Sequence, residues 1–353
     1  MPTSSPEPLD DGGIFIDKKQ RKNNEPVHNS DILALLASAG DGYVSGEQLS
    51  RSLNISRTAV WKRIATLKKE GYLIDASTRK GYRLLSHKTC YGKSGIQSLL
   101  NTKFLGRELH FRQSVESTNN VLKNLANSGA VHGTAVIANE QTKGRGRLGR
   151  EWASTADKGI WMSILLRPDI HPNRVQSVTL AAAVAVCRAI EPVLEEKPGI
   201  KWPNDILIAG KKVCGILTEL SAEAEKVSWV IVGIGLNTHF APDDFPEELR
   251  DKATSLIQHL KRGTVLDRTR LAAEILNRLE PVYEDFIRNG PESMLREWRE
   301  RSVTLGRMIE LIHGQETLRA LALDVGEDGR LVVRLEDGST REVFSGEISL
   351  RYD

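Results

Sequence analysis

Residues 144–150 read Gly144-Arg145-Gly146-Arg147-Leu148-Gly149-Arg150, and the fold class turns on how this stretch is taken. Formally it matches the dinucleotide fingerprint G-x-G-x-x-G. That fingerprint needs a strand running directly into the glycines and a helix leaving them, so that pyrophosphate meets the helix N-terminus. Here residues 139–143 separate the glycines from an apolar run at 134–138, and Glu151-Trp152-Ala153-Ser154-Thr155 opens no apolar helix. A Rossmann reading is rejected. Three glycines alternating with three arginines instead make a loop whose backbone approaches a ligand closely while guanidinium forks bind carboxylate and phosphate oxygens. A basic linker is the plain alternative. Linkers seldom lie between two buried strands, here 134–138 and 160–166, so a loop closing over an anionic ligand is preferred.

Outward from this loop stand three more polar segments. Lys201-Trp202-Pro203-Asn204-Asp205 is a charged corner between apolar runs, and alone it reads as an ordinary Pro-Asn-Asp turn. Lys212 follows Asp205 by seven residues at the start of another apolar run, so a hairpin returns its ammonium to the sheet end that carries the carboxylate. A Lys-Asp pair beside a Gly-Arg loop points to phosphoryl or nucleotidyl chemistry. Gly233-Ile234-Gly235-Leu236-Asn237 closes a strand with alternate glycines, which mark either close approach of a ligand or a packing bulge. Glu116-Ser117-Thr118-Asn119 clusters small hydrogen-bonding groups before a helix, and a cap and a ligand contact are compatible there.

Further out, the N-terminal part changes character. A helix starts at Asn29 and Ser30 and buries Ile32, Leu33, Leu35 and Leu36. A second is capped by Ser45 with Gln48 three residues on. After a turn at Asn54 and Ile55, a third is capped by Ser56, buries Val60, Ile64 and Leu67, and stops at Gly71. Two short strands, 72–74 and 81–84, then flank a basic tip, which makes a winged helix-turn-helix. The outward face of the third helix carries Arg57, Thr58, Trp61, Lys62 and Ala65, and the wing offers Arg79 and Lys80 to phosphates. A solvated docking helix is the alternative. Nine Lys/Arg against two Asp/Glu over residues 51–83 favour DNA.

The whole chain of 353 residues carries a net charge of only +3, with 40% hydrophobic and 27% charged residues, as expected of a soluble multidomain protein. The longest apolar stretch, near 181–190, is too short to suggest a membrane span, and residues 1–13 lack a secretory pattern. A cytoplasmic location is expected. Three cysteines, Cys90, Cys187 and Cys214, have no metal spacing and read as packing residues. Residues 1–27 are polar and expected to be a flexible tail. Apolar β-type runs at 134–138, 160–166, 206–208, 213–217 and 229–236 alternate with helical stretches in a mixed α/β core, and helical periodicity spans 269–286. Asp328-Gly329 and Asp337-Gly338 turns punctuate a small terminal β-barrel.

These motifs, in this order behind a winged helix-turn-helix, resemble the bifunctional biotin–protein ligase and biotin-operon repressor family over about residues 28–353. The resemblance rests on Gly144–Arg150, Lys201–Asp205, Lys212 with Gly215-Ile216-Leu217, and the closing Gly346-Glu347-Ile348-Ser349-Leu350-Arg351. It implies an α+β multidomain protein: tail 1–27, winged helix-turn-helix 28–88, biotin/lipoate-ligase-like catalytic domain 89–301 and SH3-like domain 302–353.

By the same resemblance, biotin and its adenylate fall on Ser117, Thr118, Asn119, Gln141, Arg145, Gly146, Arg147, Lys212, Gly233 and Gly235. The adenylate loop adds Gly144, Gly149, Arg150 and Trp152, with nucleotide contacts at Asn204 and Asn237. Arg147, Lys212 and Asp205 are the implied catalytic groups, Asp205 orienting or deprotonating the acceptor lysine. Leu148 departs from relatives that carry a further arginine there, which alters the grip on the adenylate. ATP and Mg2+ are implied as cofactors, with no metal fixed by protein alone. The implied partners are a biotin carboxyl carrier protein of acetyl-CoA carboxylase, operator DNA and a second copy of the chain when adenylate is bound, with no membrane. A lipoate–protein ligase lacks this loop and head, and a pure transcription factor has no use for Arg147, Asp205 and Lys212 together.

Overall fold

The computed structural model describes residues 29–40, 42–69, 72, 74–84, 91–223, 225–313, 316–344 and 347–350. The readings at 1–27, Gly71, Cys90, Gly346 and Arg351 lie outside them. Two compact units divide the chain, Met1–Leu67 with Ile74–Leu85, and Lys68–Leu73 with Ser86–Asp353.

In the first unit, α1 (Asn29–Ser38), α2 (Gly46–Leu53) and α3 (Arg57–Lys69) surround a core of Ile32, Leu36, Leu49, Val60, Ile64 and Leu67. The Ser45 hydroxyl accepts from the Gln48 amide at 3.1 Å, and the Gln48 side chain accepts from the Ser45 amide at 2.8 Å. This closes the capping box. Asn54 makes the sharp turn in the left-handed region at φ 53°, where asparagine is tolerated better than most residues. The Ser56 hydroxyl caps α3 by accepting from Ala59 N at 3.1 Å. A two-stranded antiparallel wing follows, β1 (Ile74–Ser77) and β2 (Gly81–Leu84). The first wing strand thus begins where the sequence reading ends it, because pairing with β2 starts at Ile74 opposite Leu84.

The second unit begins with α4 (Lys93–Ser98) and β3 (Leu109–Val115), then α5 (Thr118–Asn127), β4 (Ala135–Gln141), β5 (Gly159–Leu166) and α6 (Val175–Ile190). Next come β6 (Gly199–Lys201), β7 (Asp205–Ile208), β8 (Lys211–Glu223) and β9 (Lys226–Asn237). They form a seven-stranded sheet in the order β3-β4-β5-β9-β8-β7-β6, parallel only between β3 and β4. That order excludes a doubly wound parallel sheet.

Helix α6 is apolar all round and packs with α7 (Arg268–Asn289) and α8 (Glu292–Arg301). The segment Pro172–Val193 has the length and composition to cross a membrane, but 78% of it is buried in the fold, as a core helix is. On α7 the buried Glu280 carboxylate accepts from the amides of Lys103, Phe104 and Leu105, which fixes the loop entering β3.

A five-stranded antiparallel sheet completes the unit: β10 (Met308–His313), β11 (Glu316–Val325), β12 (Leu331–Leu335), β13 (Thr340–Val343) and β14 (Glu347–Leu350), ordered β13-β12-β11-β10-β14. Its Gly329 and Gly338 turns adopt φ 85° and 84°. The β11–β12 turn packs on the sheet's Lys-Trp-Pro corner. Trp202 N donates to Thr304 Oγ1 and Trp202 Nε1 to the Gly329 carbonyl, both at 3.0 Å, while Ser177 Oγ donates to the Glu327 carbonyl at 2.8 Å.

Candidate functional site

Alternation along β4, β5, β8 and β9, with α5 laid against them, brings the polar segments into one region at the sheet's end. Ser117 stands at the N-cap of α5, yet its hydroxyl makes no capping bond to the helix. The chain turns there so that Thr118 and Asn119 point down onto the sheet, both buried. Gln141 Oε1 accepts from Thr118 N at 2.8 Å and from Thr118 Oγ1 at 3.0 Å, and Gln141 Nε2 donates to Ser154 Oγ at 2.8 Å. Ser163 Oγ lies 2.7 Å from Thr118 Oγ1 and 2.6 Å from Asn119 Oδ1. Asn119 Nδ2 donates to the Glu219 carboxylate at 2.7 Å. Ser154, Ser163 and Glu219 are not among the site residues read from the sequence. Ser163 had a signal, being the sole polar side chain of the strand Gly159–Leu166.

The Gly-Arg loop is a hairpin-like excursion rather than a linker. Trp152 N donates to the Gly144 carbonyl at 2.9 Å, Gly146 N to the Arg150 carbonyl at 2.7 Å, and Arg145 bridges Glu151. Lys143 Nζ, 2.7 Å from Glu116, ties the loop's base to the turn before α5 and holds that carboxyl below its usual range. At the tip, Arg147–Gly149 form one short turn, with Leu148 at φ 55° and 79% exposed and Gly149 at φ 74°. Arg145 and Arg150 are exposed, whereas Arg147 is half-buried and donates to Asn204 Oδ1 at 3.2 Å. Gly144 must be glycine, since a Cβ there would lie 2.3 Å from the Trp152 carbonyl and 2.5 Å from Ser154 Oγ.

Across the sheet, the β7–β8 hairpin sets Lys212 Nζ 2.7 Å from Asp205 Oδ1, with both side chains partly exposed. The same ammonium sits 5.0 Å from the centre of the Trp152 ring. The indole rests on glycines: a Cβ at Gly235 would come within 2.6 Å of Trp152 Nε1, and one at Gly215 within 3.1 Å of its ring. Trp152 Nε1 is buried and has no hydrogen-bond partner among the described residues. Asn204 Nδ2 donates to the Ile216 carbonyl at 2.8 Å, which pins the corner to β8. Asn237 is brought to the end of β9, but its amide is buried and donates to the Thr254 carbonyl at 3.1 Å, securing the 250s loop. Gly233 is covered by Asn119, whose Oδ1 would lie 2.4 Å from a Cβ there.

One contiguous site therefore joins a buried amide-and-hydroxyl network to an aromatic plate and to cations. A small polar ring fits the first, and an anion the last. No group of three or more His, Cys, Asp or Glu that could hold a metal ion occurs among the described residues. Both described cysteines are buried, Cys187 on α6 and Cys214 on β8 between Lys212 and Gly215. Burial pushes the Cys187 thiol up to about 12 and the Cys214 thiol higher still.

On the separate N-terminal unit, Arg57, Thr58, Trp61 and Lys62 are exposed on one face of α3, and Arg79 and Lys80 are exposed at the wing tip. Trp61 is 61% exposed despite its size. Arg83 and Lys80 lie over the Tyr43 ring, 4.6 and 5.6 Å from its centre.

Comparison with known proteins places these elements in context. Residues 111–237 match the model of the biotin/lipoate A/B protein ligase family, residues 28–83 an HTH domain, and residues 304–351 the biotin protein ligase C-terminal domain. The bifunctional ligase/repressor BirA of Bacillus subtilis is 40% identical over 320 residues, covering 91% of this chain and 98% of that one. Its Escherichia coli counterpart is 30% identical over 326 residues, covering 91% and 96%. Among solved structures, the biotin protein ligase of Aquifex aeolicus in complex with biotin and ATP aligns with a TM-score of 0.59 and 31% identity, over 70% of this chain and 100% of that one.

Proposed function

The chain belongs to the bifunctional biotin–protein ligase and repressor family, and on that premise we propose how its residues divide the two tasks. It is a biotin–protein ligase with a helix-turn-helix repressor domain. Biotin's ring lies against Ser117, Thr118, Asn119 and Gln141, with Gly233 and Gly235 keeping the floor low. Its carboxylate oxygen attacks the α-phosphorus of ATP, and pyrophosphate departs with the Mg2+ that ATP carried in. Both reacting groups are anionic, so fixed cations must neutralise them and hold them in line. Lys212 and Arg147 do this, with Arg145, Gly146 and the rest of the loop folding over the product.

Asn204 and Asn237 hold the corner and loop that face the nucleotide, and Trp152 offers it a flat apolar surface. The mixed anhydride biotinyl-5′-AMP hydrolyses if wetted, so Gly144, Gly149 and Arg150 form the frame of a cover. The amine of a carrier lysine then attacks the acyl carbon, AMP leaves, an amide forms, and Asp205 takes the proton lost by the ammonium. The acceptor is a biotin carboxyl carrier protein of acetyl-CoA carboxylase. The protein works in the cytoplasm, without a membrane partner. As an adenylate-bound homodimer it binds operator DNA through Arg57, Thr58, Trp61, Lys62, Arg79 and Lys80. The tail 1–27 is assigned no role, and the domains run 28–88, 89–301 and 302–353.

The observation that carries this reading is Lys212 held 2.7 Å from Asp205 and over Trp152, beside the Gly-Arg loop. Its test is incubation with ATP, magnesium, biotin and a biotin carboxyl carrier domain. One biotinylated lysine seen by mass is expected. A carrier left without biotin under these conditions would refute it.

A further inference from the structure

We infer that Glu219 and Ser163 are positioning residues for recognition of biotin's cyclic urea, acting through Asn119, Thr118 and Gln141. The inference rests on the reading that Ser117–Asn119 and Gln141 receive that ring. It comes from the direction of each hydrogen bond in the buried network.

At one end stands a backbone N–H, which can only donate. Thr118 N points at Gln141 Oε1 from 2.8 Å, so the Gln141 amide is fixed with its oxygen toward α5 and its nitrogen toward Ser154. The Thr118 hydroxyl, its oxygen 3.0 Å from the same Gln141 oxygen, is thereby directed too. At the other end stands a carboxylate, which can only accept. Glu219, 2.7 Å from Asn119, forces Nδ2 toward itself and Oδ1 toward Ser163. Fully buried Ser163 then faces two acceptors, Asn119 Oδ1 and Thr118 Oγ1, and supplies the one proton between them.

The Gln141 and Asn119 amides are thus each held in one orientation. A cyclic urea presents two N–H groups flanking one carbonyl. An amide turned the wrong way would set donor against donor inside a site where unmatched polar groups are costly. Neither Glu219 nor Ser163 need touch the ligand: they hold the groups that do in one orientation. Gly233 adds a steric stop, since any Cβ there would drive into Asn119 Oδ1.

The test uses the full-length protein and reads pyrophosphate release, with separate titrations of biotin and ATP and a thermal melt. Glu219→Gln keeps the side chain's shape but can donate, which frees Asn119 to flip, and Ser163→Ala removes one oxygen. Each should raise KM for biotin about tenfold or more, with KM for ATP and kcat at saturating biotin changed less than about threefold. Adding Asn119→Asp to Glu219→Gln puts an acceptor back toward Ser163 and should recover part of the loss. Biotin KM within twofold of the parent in both single variants would overturn the inference. So would biotin and ATP KM rising together with a lowered melting temperature, which marks a merely structural role. No pyrophosphate release from the parent protein would instead overturn the ligase reading beneath, and the inference with it.

Discussion

The Lys212 ammonium lies 2.7 Å from Asp205 Oδ1, and in the proposed function it serves the reacting oxygens when substrates bind. Replacing it with alanine should lower adenylate formation by roughly 100-fold or more while ATP binding changes far less, because charge builds on those oxygens only in the transition state. Pyrophosphate release beside an ATP binding isotherm separates the two effects, and unimpaired release would refute the role. Arg147 reaches from the loop tip to Asn204. Arg147→Gly should let biotinyl-adenylate escape and label lysines on bystander proteins, which a blot for biotin on added albumin reads directly; adenylate retained as long as in the parent would contradict it. The cysteines are a quieter case. With both thiols buried and their protons held well above neutrality, native Cys187 and Cys214 should resist iodoacetamide at pH 8 and react only after unfolding. Mass spectrometry of native and urea-treated protein decides this.

At the scale of elements, the corner before β7 depends on the C-terminal sheet. Trp202→Phe replaces the buried indole with a smaller ring and deletes its bond to the Gly329 carbonyl, at a cost of about 1–3 kcal/mol for the unpaired acceptor and more for the space left behind. A lowered melting temperature with reduced kcat is expected, because Asn204 and Asp205 follow directly; a melting temperature equal to the parent's would show the tie to be unimportant. On α3, Lys62→Glu should weaken operator binding and flatten its salt dependence while carrier biotinylation survives. Salt-series isotherms test it, and parental affinity at every salt concentration would move the DNA-binding face elsewhere.

The helices of the first unit were legible because caps and apolar spacing agree at Ser45, Gln48, Ser56, Val60, Ile64 and Leu67. Strands fared less well. The run 213–217 proves to lie in the first half of Lys211–Glu223, whose outer half alternates with polar residues, and 134–138 continues to Gln141. Edge strands Leu109–Val115 and Gly199–Lys201, and the charged helix Glu292–Arg301, carry too little apolar signal to stand out. The Lys212–Asp205 pairing could be read from hairpin spacing, whereas Glu219 and Ser154 reach the site only through sheet register and loop folding, which local sequence does not encode.

Across the whole molecule, two tasks share one chain, and the proposed link between them is the adenylate. On this proposal a loop ordered by Arg145 and Arg147 would complete a surface for a second copy, linking ligand to dimer, and two heads on paired half-sites would gain effective concentration. Unmodified carrier would then consume the adenylate and release DNA. The direct measurement is a binding isotherm on an operator fragment selected from random DNA, with and without biotin plus ATP, run beside sedimentation of the same samples. Biotin and ATP together should tighten DNA binding and shift the protein from monomer to dimer, Lys212→Ala should show neither change, and added carrier should reverse both. Equal affinity and an unchanged oligomeric state with and without the two substrates would contradict the coupling.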